Sequence, residues 1–230
     1  MPYIPDAIPP EERARFVKGN MGVRSGFGAR PAVLVVDMTR AFTEDRFPLG
    51  SSKAGEPCLH AIRRLLDVAR PLGIPVIYSR YGPYGTDAEW GRWLDKGTGS
   101  EPSSPMRSPE AHEIPELIEP ARDEVVVVKS KPSAFFGTQL PSLLTWHGVD
   151  TTIVTGMVTS GCVRATVVDA FSHNYRVVVP IECVADRSET SHQVNLFDMD
   201  MKYADVLPLA EVLEHLRRPG PSGRHGSEVK

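Results

Sequence analysis

Apolar residues along the chain come in short unbroken runs, separated by stretches with helical spacing. Residues 32–38 (AVLVVDM) form the first run, continuous rather than alternating, as in a strand buried on both faces. Leu59, Ile62, Leu65, Leu66, Ala69 and Leu72 then recur at helical spacing, and Gly73 stops that helix. Residues 74–79 (IPVIYS) read as a second strand and residues 124–129 (EVVVVK) as a third. A short helix over 140–147 is closed by Gly148. Residues 151–157 (TTIVTGM) give a fourth strand, and a helix follows over 162–173 with Val163, Thr166, Val167, Ala170 and Phe171 on one face. Residues 176–179 make a fifth strand, 205–208 a weaker sixth, and 209–217 a last helix. Such alternation predicts an α/β fold, a parallel sheet covered by helices on both faces. Functional side chains then gather at the carboxyl ends of the strands.

The ends read as peripheral. Residues 1–10 carry four prolines, so 1–25 is expected to be an N-terminal arm, 26–217 a single domain and 218–230 a mobile tail. Residues 82–122 are rich in Gly, Pro and Ser but hold Trp90 and Trp93. Large aromatics seek burial, which makes this stretch a long excursion of the domain.

Composition narrows the class. A chain of 230 residues suits one large domain whose core needs no metal or disulfide staple. With 26 Lys+Arg against 29 Asp+Glu, the basic residues dispersed, nothing pulls it toward nucleic acid or anionic lipid. No apolar run reaches the roughly 18 residues of a membrane span, and the first residues lack the apolar core of a signal peptide. A cytoplasmic location is expected. Cys58, Cys162 and Cys183 cannot all pair with one another, which suggests reduced thiols.

The strand-end rule selects three residues. Asp37 closes the first run; it either caps the following loop or meets a partner that offsets its burial. Lys129 closes the third strand, with Lys131 two residues on as its competitor; either can be a surface lysine with a buried stem. Cys162 lies between the fourth strand and a helix, in GMVTSGCV. It reads either as a small buried hydrophobe or as a thiolate favoured by the helix N-terminus. If the three meet, the ammonium stabilises carboxylate and thiolate, and the carboxylate can relay the thiol proton. Arg187, in ADRSETSH, is either a fork for a substrate carboxylate or a surface partner of Asp186 or Glu189. A Cys–His hydrolase using His147 or His192 is a rival scheme that needs a histidine beside Cys162. No phosphate loop follows the first strand, and neither a His-Glu-x-x-His motif, a zinc-like Cys/His spacing nor a Gly-x-Ser-x-Gly elbow occurs.

Three motifs in order, VVDM around Asp37, KSKPSAFFGT from Lys129 and TGMVTSGCVRAT around Cys162, resemble the isochorismatase-like cysteine hydrolases. The match runs from about residue 26 to 216. The SAFFGT and TSGCVRAT forms, with the later run NLFDMDMKYAD, are most similar to the branch that hydrolyses N-carbamoylsarcosine and maleamate. The resemblance implies a three-layer α/β/α fold with a six-stranded parallel sheet and a catalytic triad of Asp37, Lys129 and Cys162. It implies a cis peptide between Met157 and Val158, and an oxyanion hole from the N–H groups of Val158 and Cys162. It places Arg187, Thr159 and Phe42 around a small carboxylated amide or ureido substrate. Cleavage would pass through a cysteine thioester and release ammonia. It implies no cofactor, since the nicotinamidases of the superfamily hold a metal with Asp and His after the second strand, where this chain reads YSRYG. A homo-oligomer, a tetramer, is expected from the resemblance, from residues 11–16 and from the Trp90/Trp93 excursion, which lack an evident role within one chain. A silent family member serving as a binding or assembly subunit is the rival of another class.

Overall fold

The computed structural model describes residues 3, 5, 8–82, 86–97 and 101–218. The tail expected over 218–230 lies outside these residues except for Arg218. Helix α1 (Pro10–Lys18) precedes strand β1 (Pro31–Val36), a single turn α2 (Arg40–Thr43) and the long helix α3 (Ser52–Ala69). Strand β2 (Val76–Tyr81) is followed by a turn α4 (Asp87–Trp90) and four short 3-10 segments, and then by β3 (Val125–Lys129). The second half runs α5 (Leu140–Trp146), β4 (Thr151–Met157), α6 (Arg164–Ser172), β5 (Arg176–Pro180), β6 (Val184–Ala185), α7 (Glu189–Lys202), β7 (Asp205–Leu207) and α8 (Leu209–Arg217).

The strands pair in parallel in the order β3-β2-β1-β4-β5-β7, and β6 lies beside the end of β4. Among the described residues the sheet therefore has seven strands, one more than the six expected. The additional strand is the two-residue β6. Strand β5 ends at Pro180, and the chain makes a 3-10 turn over Ile181–Cys183 before pairing with Gly156 and Met157 of β4. Proline has no N–H to continue a ladder, so one line of strand becomes two.

The continuous apolar run of β1 follows from its central place. Val33 and Val35 face α3 and α8, packing with Ile62, Leu65, Leu66 and Leu213. Ala32, Leu34 and Val36 face the opposite layer with Val163, Val167, Leu196 and Leu144. Successive strand residues alternate faces, and both faces are covered. The α3 helix begins with the Ser51 side chain accepting from the Ala54 N–H and is followed by Gly73 at φ +68°, where a left-handed residue is needed.

Two segments expected to lack a role within one chain have partners in it. The N-terminal segment is tied to the domain: Phe16 meets Phe197 of α7 edge-on at 5.0 Å, and Ile8 is buried with Phe197 and Met201. The excursion packs on itself and on the body. Trp90 is buried with Ala41, Phe47, Met106 and Ala111 under the Arg107 guanidinium. Both segments thus have partners within the chain, which removes them as grounds for an oligomer. Among the described residues no helix is long and apolar enough to cross a membrane.

Candidate active site

Strands β1, β2, β3 and β4 end side by side, and their last residues and the turns after them meet at one sheet edge. Asp37 directly follows β1; its N–H donates to the Ser79 carbonyl at 2.9 Å and its φ is +49°. Gly156 pairs with Val36 across the ladder at φ +117°. A Cβ there would sit 1.9 Å from the Val36 carbonyl oxygen, so only glycine lets β4 approach.

Lys129 ends β3 opposite Tyr81 of β2. Its Nζ lies 2.7 Å from Asp37 Oδ2, with both side chains fully buried, and donates to the Lys131 carbonyl at 3.0 Å. Lys129 is therefore the lysine that meets the carboxylate, while Lys131 enters through its backbone oxygen.

Cys162 lies in a wide turn over Thr159–Val163, broken at Gly161 (φ −114°, ψ −105°), and regular helix begins only at Arg164. The Met157–Val158 peptide is cis. Polar side chains fix this turn from both ends. Asp186 accepts from the Ser160 N–H at 2.8 Å and from its hydroxyl at 2.6 Å. Thr166 donates to the Cys162 carbonyl at 2.7 Å and accepts from the Ala134 N–H at 3.0 Å, joining the cysteine turn to the SAFFGT turn.

Cys162 lies beside the Asp37 carboxyl group, and each acts on the other's proton affinity. Burial, with the Asp37 charge as a lesser contributor, pushes the thiol up to about 12. Of the two readings of Cys162, this favours a buried thiol at rest. The sulfur is nearly enclosed, the preceding turn is irregular, and desolvation outweighs any help from the helix end and from Lys129. Burial also raises the proton affinity of Asp37, with the Lys129 ammonium pulling the other way. The resting site is a neutral thiol beside a carboxylate held on an ammonium, and a carboxylate of raised affinity is the better proton acceptor.

The residues expected around the substrate lie on the surrounding segments. Phe42 is buried, its ring 6.1 Å from that of Tyr81. Thr159 is fully buried, and its hydroxyl pairs with His192 Nδ1 at 2.8 Å. Arg187 is exposed, with Nε donating to the Leu49 carbonyl at 3.3 Å. Its two rival partners are engaged elsewhere: Asp186 holds Ser160 and Ser188, and Glu189 accepts from Gln193 at 2.7 Å. His192 reaches the cysteine turn through Thr159.

Tyr81 is the site residue that the sequence reading passed over. Its hydroxyl stands 3.4 Å from Cys162 Sγ, and the Lys129 ammonium lies 4.0 Å from its ring centre. The signal was available: β2 lies between β1 and β3, so its last residue falls on the same edge. Among the described residues no three His, Cys, Asp or Glu side chains gather as a metal site.

The sequence and fold match known proteins over nearly the whole domain. The isochorismatase domain matches residues 31–211. A maleamate amidohydrolase of Pseudomonas putida is 37% identical over 87% of this chain and 93% of its own. An N-carbamoylsarcosine amidase of Arthrobacter is 36% identical over 84% of this chain and 74% of its own. A crystal structure of a cysteine hydrolase from Pseudomonas syringae superposes with a TM-score of 0.76 at 29% identity, covering 82% of this chain and 92% of that one. With most of its length matched, this chain belongs to the isochorismatase family.

Proposed function

We propose that the protein is an amidohydrolase that cleaves the C–N bond of a small carboxylated amide or ureido compound through a thioester on Cys162. The observation that carries this reading is the buried Lys129–Asp37 ion pair at the strand ends, with the Cys162 thiol beside the same carboxylate. Asp37 takes the thiol proton as sulfur attacks the carbonyl carbon. The carbonyl becomes an oxyanion, held by the N–H groups of Val158 and Cys162. Collapse breaks the C–N bond, and the proton on Asp37 goes to the leaving nitrogen, so ammonia departs from a primary amide. Water, deprotonated by Asp37, then attacks the thioester; the acid leaves and the thiol regains its proton. A carbamoyl substrate would give a carbamic acid, which loses carbon dioxide.

The maleamate and N-carbamoylsarcosine activities named for the two relatives support an amide whose carboxylate lies a few bonds from the scissile carbonyl. Arg187 is proposed to fork onto that carboxylate, with Thr159 and Phe42 shaping the pocket. A panel of such amides with ammonia detection tests the reading. Release from maleamate, N-carbamoylsarcosine or a near analogue is expected; release from none would favour a silent binding subunit. Overnight treatment with EDTA should leave the rate unchanged, because no step uses a metal. A loss that zinc restores would count against the scheme.

The role of Arg187 has its own test. Removing one partner of a desolvated charge pair costs about 2–5 kcal/mol. Arg187 is exposed without substrate, so the low end applies, and Arg187→Ala should lower kcat/KM roughly thirtyfold on carboxylated amides. A neutral amide of similar size should lose far less. Arg187→Lys should recover only part, since an ammonium lacks the planar fork. Equal losses on both substrates, with a lowered Tm, would make Arg187 a structural residue.

A further inference from the structure

Two separate contacts converge on one phenol. The Tyr81 hydroxyl lies 3.4 Å from the Cys162 sulfur, and the face of its ring lies 4.0 Å from the Lys129 ammonium. The ring is held from two sides, by Phe42 at 6.1 Å and by Trp93 edge-on at 6.2 Å. Trp93 is in turn fixed by its indole N–H, which donates to the Ser130 carbonyl at 3.2 Å, one residue past Lys129. The hydroxyl is thus placed on the sulfur by packing that begins at the excursion and ends at the catalytic lysine.

We propose that Tyr81 is a further catalytic residue, whose hydroxyl donates a hydrogen bond to the Cys162 sulfur as it becomes thiolate and whose ring seats the Lys129 ammonium beside Asp37. The inference rests on the thioester reading above and adds to it the group that holds the nucleophile. In the resting state either the hydroxyl or the thiol can be the donor. When the thiol proton passes to Asp37, the sulfur can only accept, and the phenol, which keeps its own proton, is the donor already in place. The same contact pulls the Cys162 thiol downward, against the burial and the Asp37 charge that raise it. A tyrosine kept only for packing would need its ring alone.

Tyr81→Phe separates the two roles, because it keeps the ring and removes the hydroxyl. The probe is iodoacetamide at fixed pH, with the label located on Cys162 by mass spectrometry; Cys58 and Cys183, both buried in the core, serve as internal controls. A hydrogen bond to a charged acceptor is worth enough to move the thiol by about one pH unit. Thiolate then becomes about tenfold scarcer, and the greater nucleophilicity of a more basic thiolate offsets about threefold of that. The alkylation rate should fall about threefold and kcat/KM about tenfold, with Tm unchanged. Tyr81→Leu, which also strips the ring from Lys129, should lose more of both. Alkylation of Tyr81→Phe at or above the wild-type rate would overturn the proposal. The thioester reading fails on a different result: wild-type protein fully alkylated at Cys162 that still releases ammonia.

Discussion

Cys162→Ala should cut ammonia release by roughly four to six orders of magnitude, the scale of losing a covalent nucleophile whose neighbours act as a unit with it. No other side chain at the sheet edge can replace it: Asp37 and Lys129 are locked in their ion pair, and Tyr81 is a phenol with its proton. The fold should survive. Only the sulfur is lost, the turn is fixed by Asp186 and Thr166 through backbone groups of Ser160 and Cys162, and the alanine methyl stays in contact with the core. A change of about 1 kcal/mol, or a few degrees in Tm, is the expected scale. Intact-mass spectra during turnover should show an acyl adduct on wild type and none on the variant. A variant that keeps a tenth of the activity would end the covalent scheme.

Lys129→Ala should be nearly as severe for turnover, at about three orders of magnitude or more, and should also weaken the fold. Removing one partner of a buried pair costs about 3–5 kcal/mol, because the other charge stays unpaired. Here the orphan is Asp37, fully buried with no ammonium. Its cheapest response is to take up a proton, which ends its service as a base. The variant then carries a pH signature. Without Lys129 only burial acts strongly on Asp37, so its affinity in the folded state lies above that of the unfolded chain. Stability is therefore retained at low pH and lost as pH rises from the ordinary carboxylate range through the raised one. Lys131→Ala should change activity by less than about threefold, since the carbonyl that Lys129 uses belongs to the backbone and remains. Kinetics and a pH series of melting curves on both variants decide it. The opposite ranking would assign the ammonium to Lys131.

The strands and the three residues at their ends were legible because burial on two faces writes itself as continuous apolar runs. Asp37 and Lys129 are the charges that interrupt or end such runs, and parallel pairing brings both to the same end of the sheet, where their side chains meet across β2. Helix α7 was not legible as a helix. Two of its buried positions are Asn195 and Asp200, which spoil the apolar spacing and are satisfied at a distance. Asn195 accepts from Arg164 at 2.7 Å, and Asp200 accepts from the Tyr3 N–H, the Val206 N–H and Arg24. Strand β6, two residues long, is too short to leave a pattern. The state of the thiol was left open for a related reason: a helix end is visible in sequence, whereas the degree of enclosure around one sulfur is a property of the packed whole. Tyr81 was noticed only as part of a stretch lacking histidine, since nothing in an isolated Tyr-Gly pair tells where the hydroxyl will point.

Strand β3 is the outermost on its side of the sheet: among the described residues only β2 pairs with it, and Val128 stands half exposed. The lysine that completes the site is thus mounted on the strand with the fewest neighbours. Edge segments open at a lower free energy than the interior ladders around β1 and β4. An opening of β3 alone would withdraw the ammonium from Asp37 while the rest of the sheet stayed closed. Storage life and folded life then become separate quantities for this protein. A preparation whose circular dichroism is intact has kept its scaffold, and its active fraction must be counted independently by titrating Cys162.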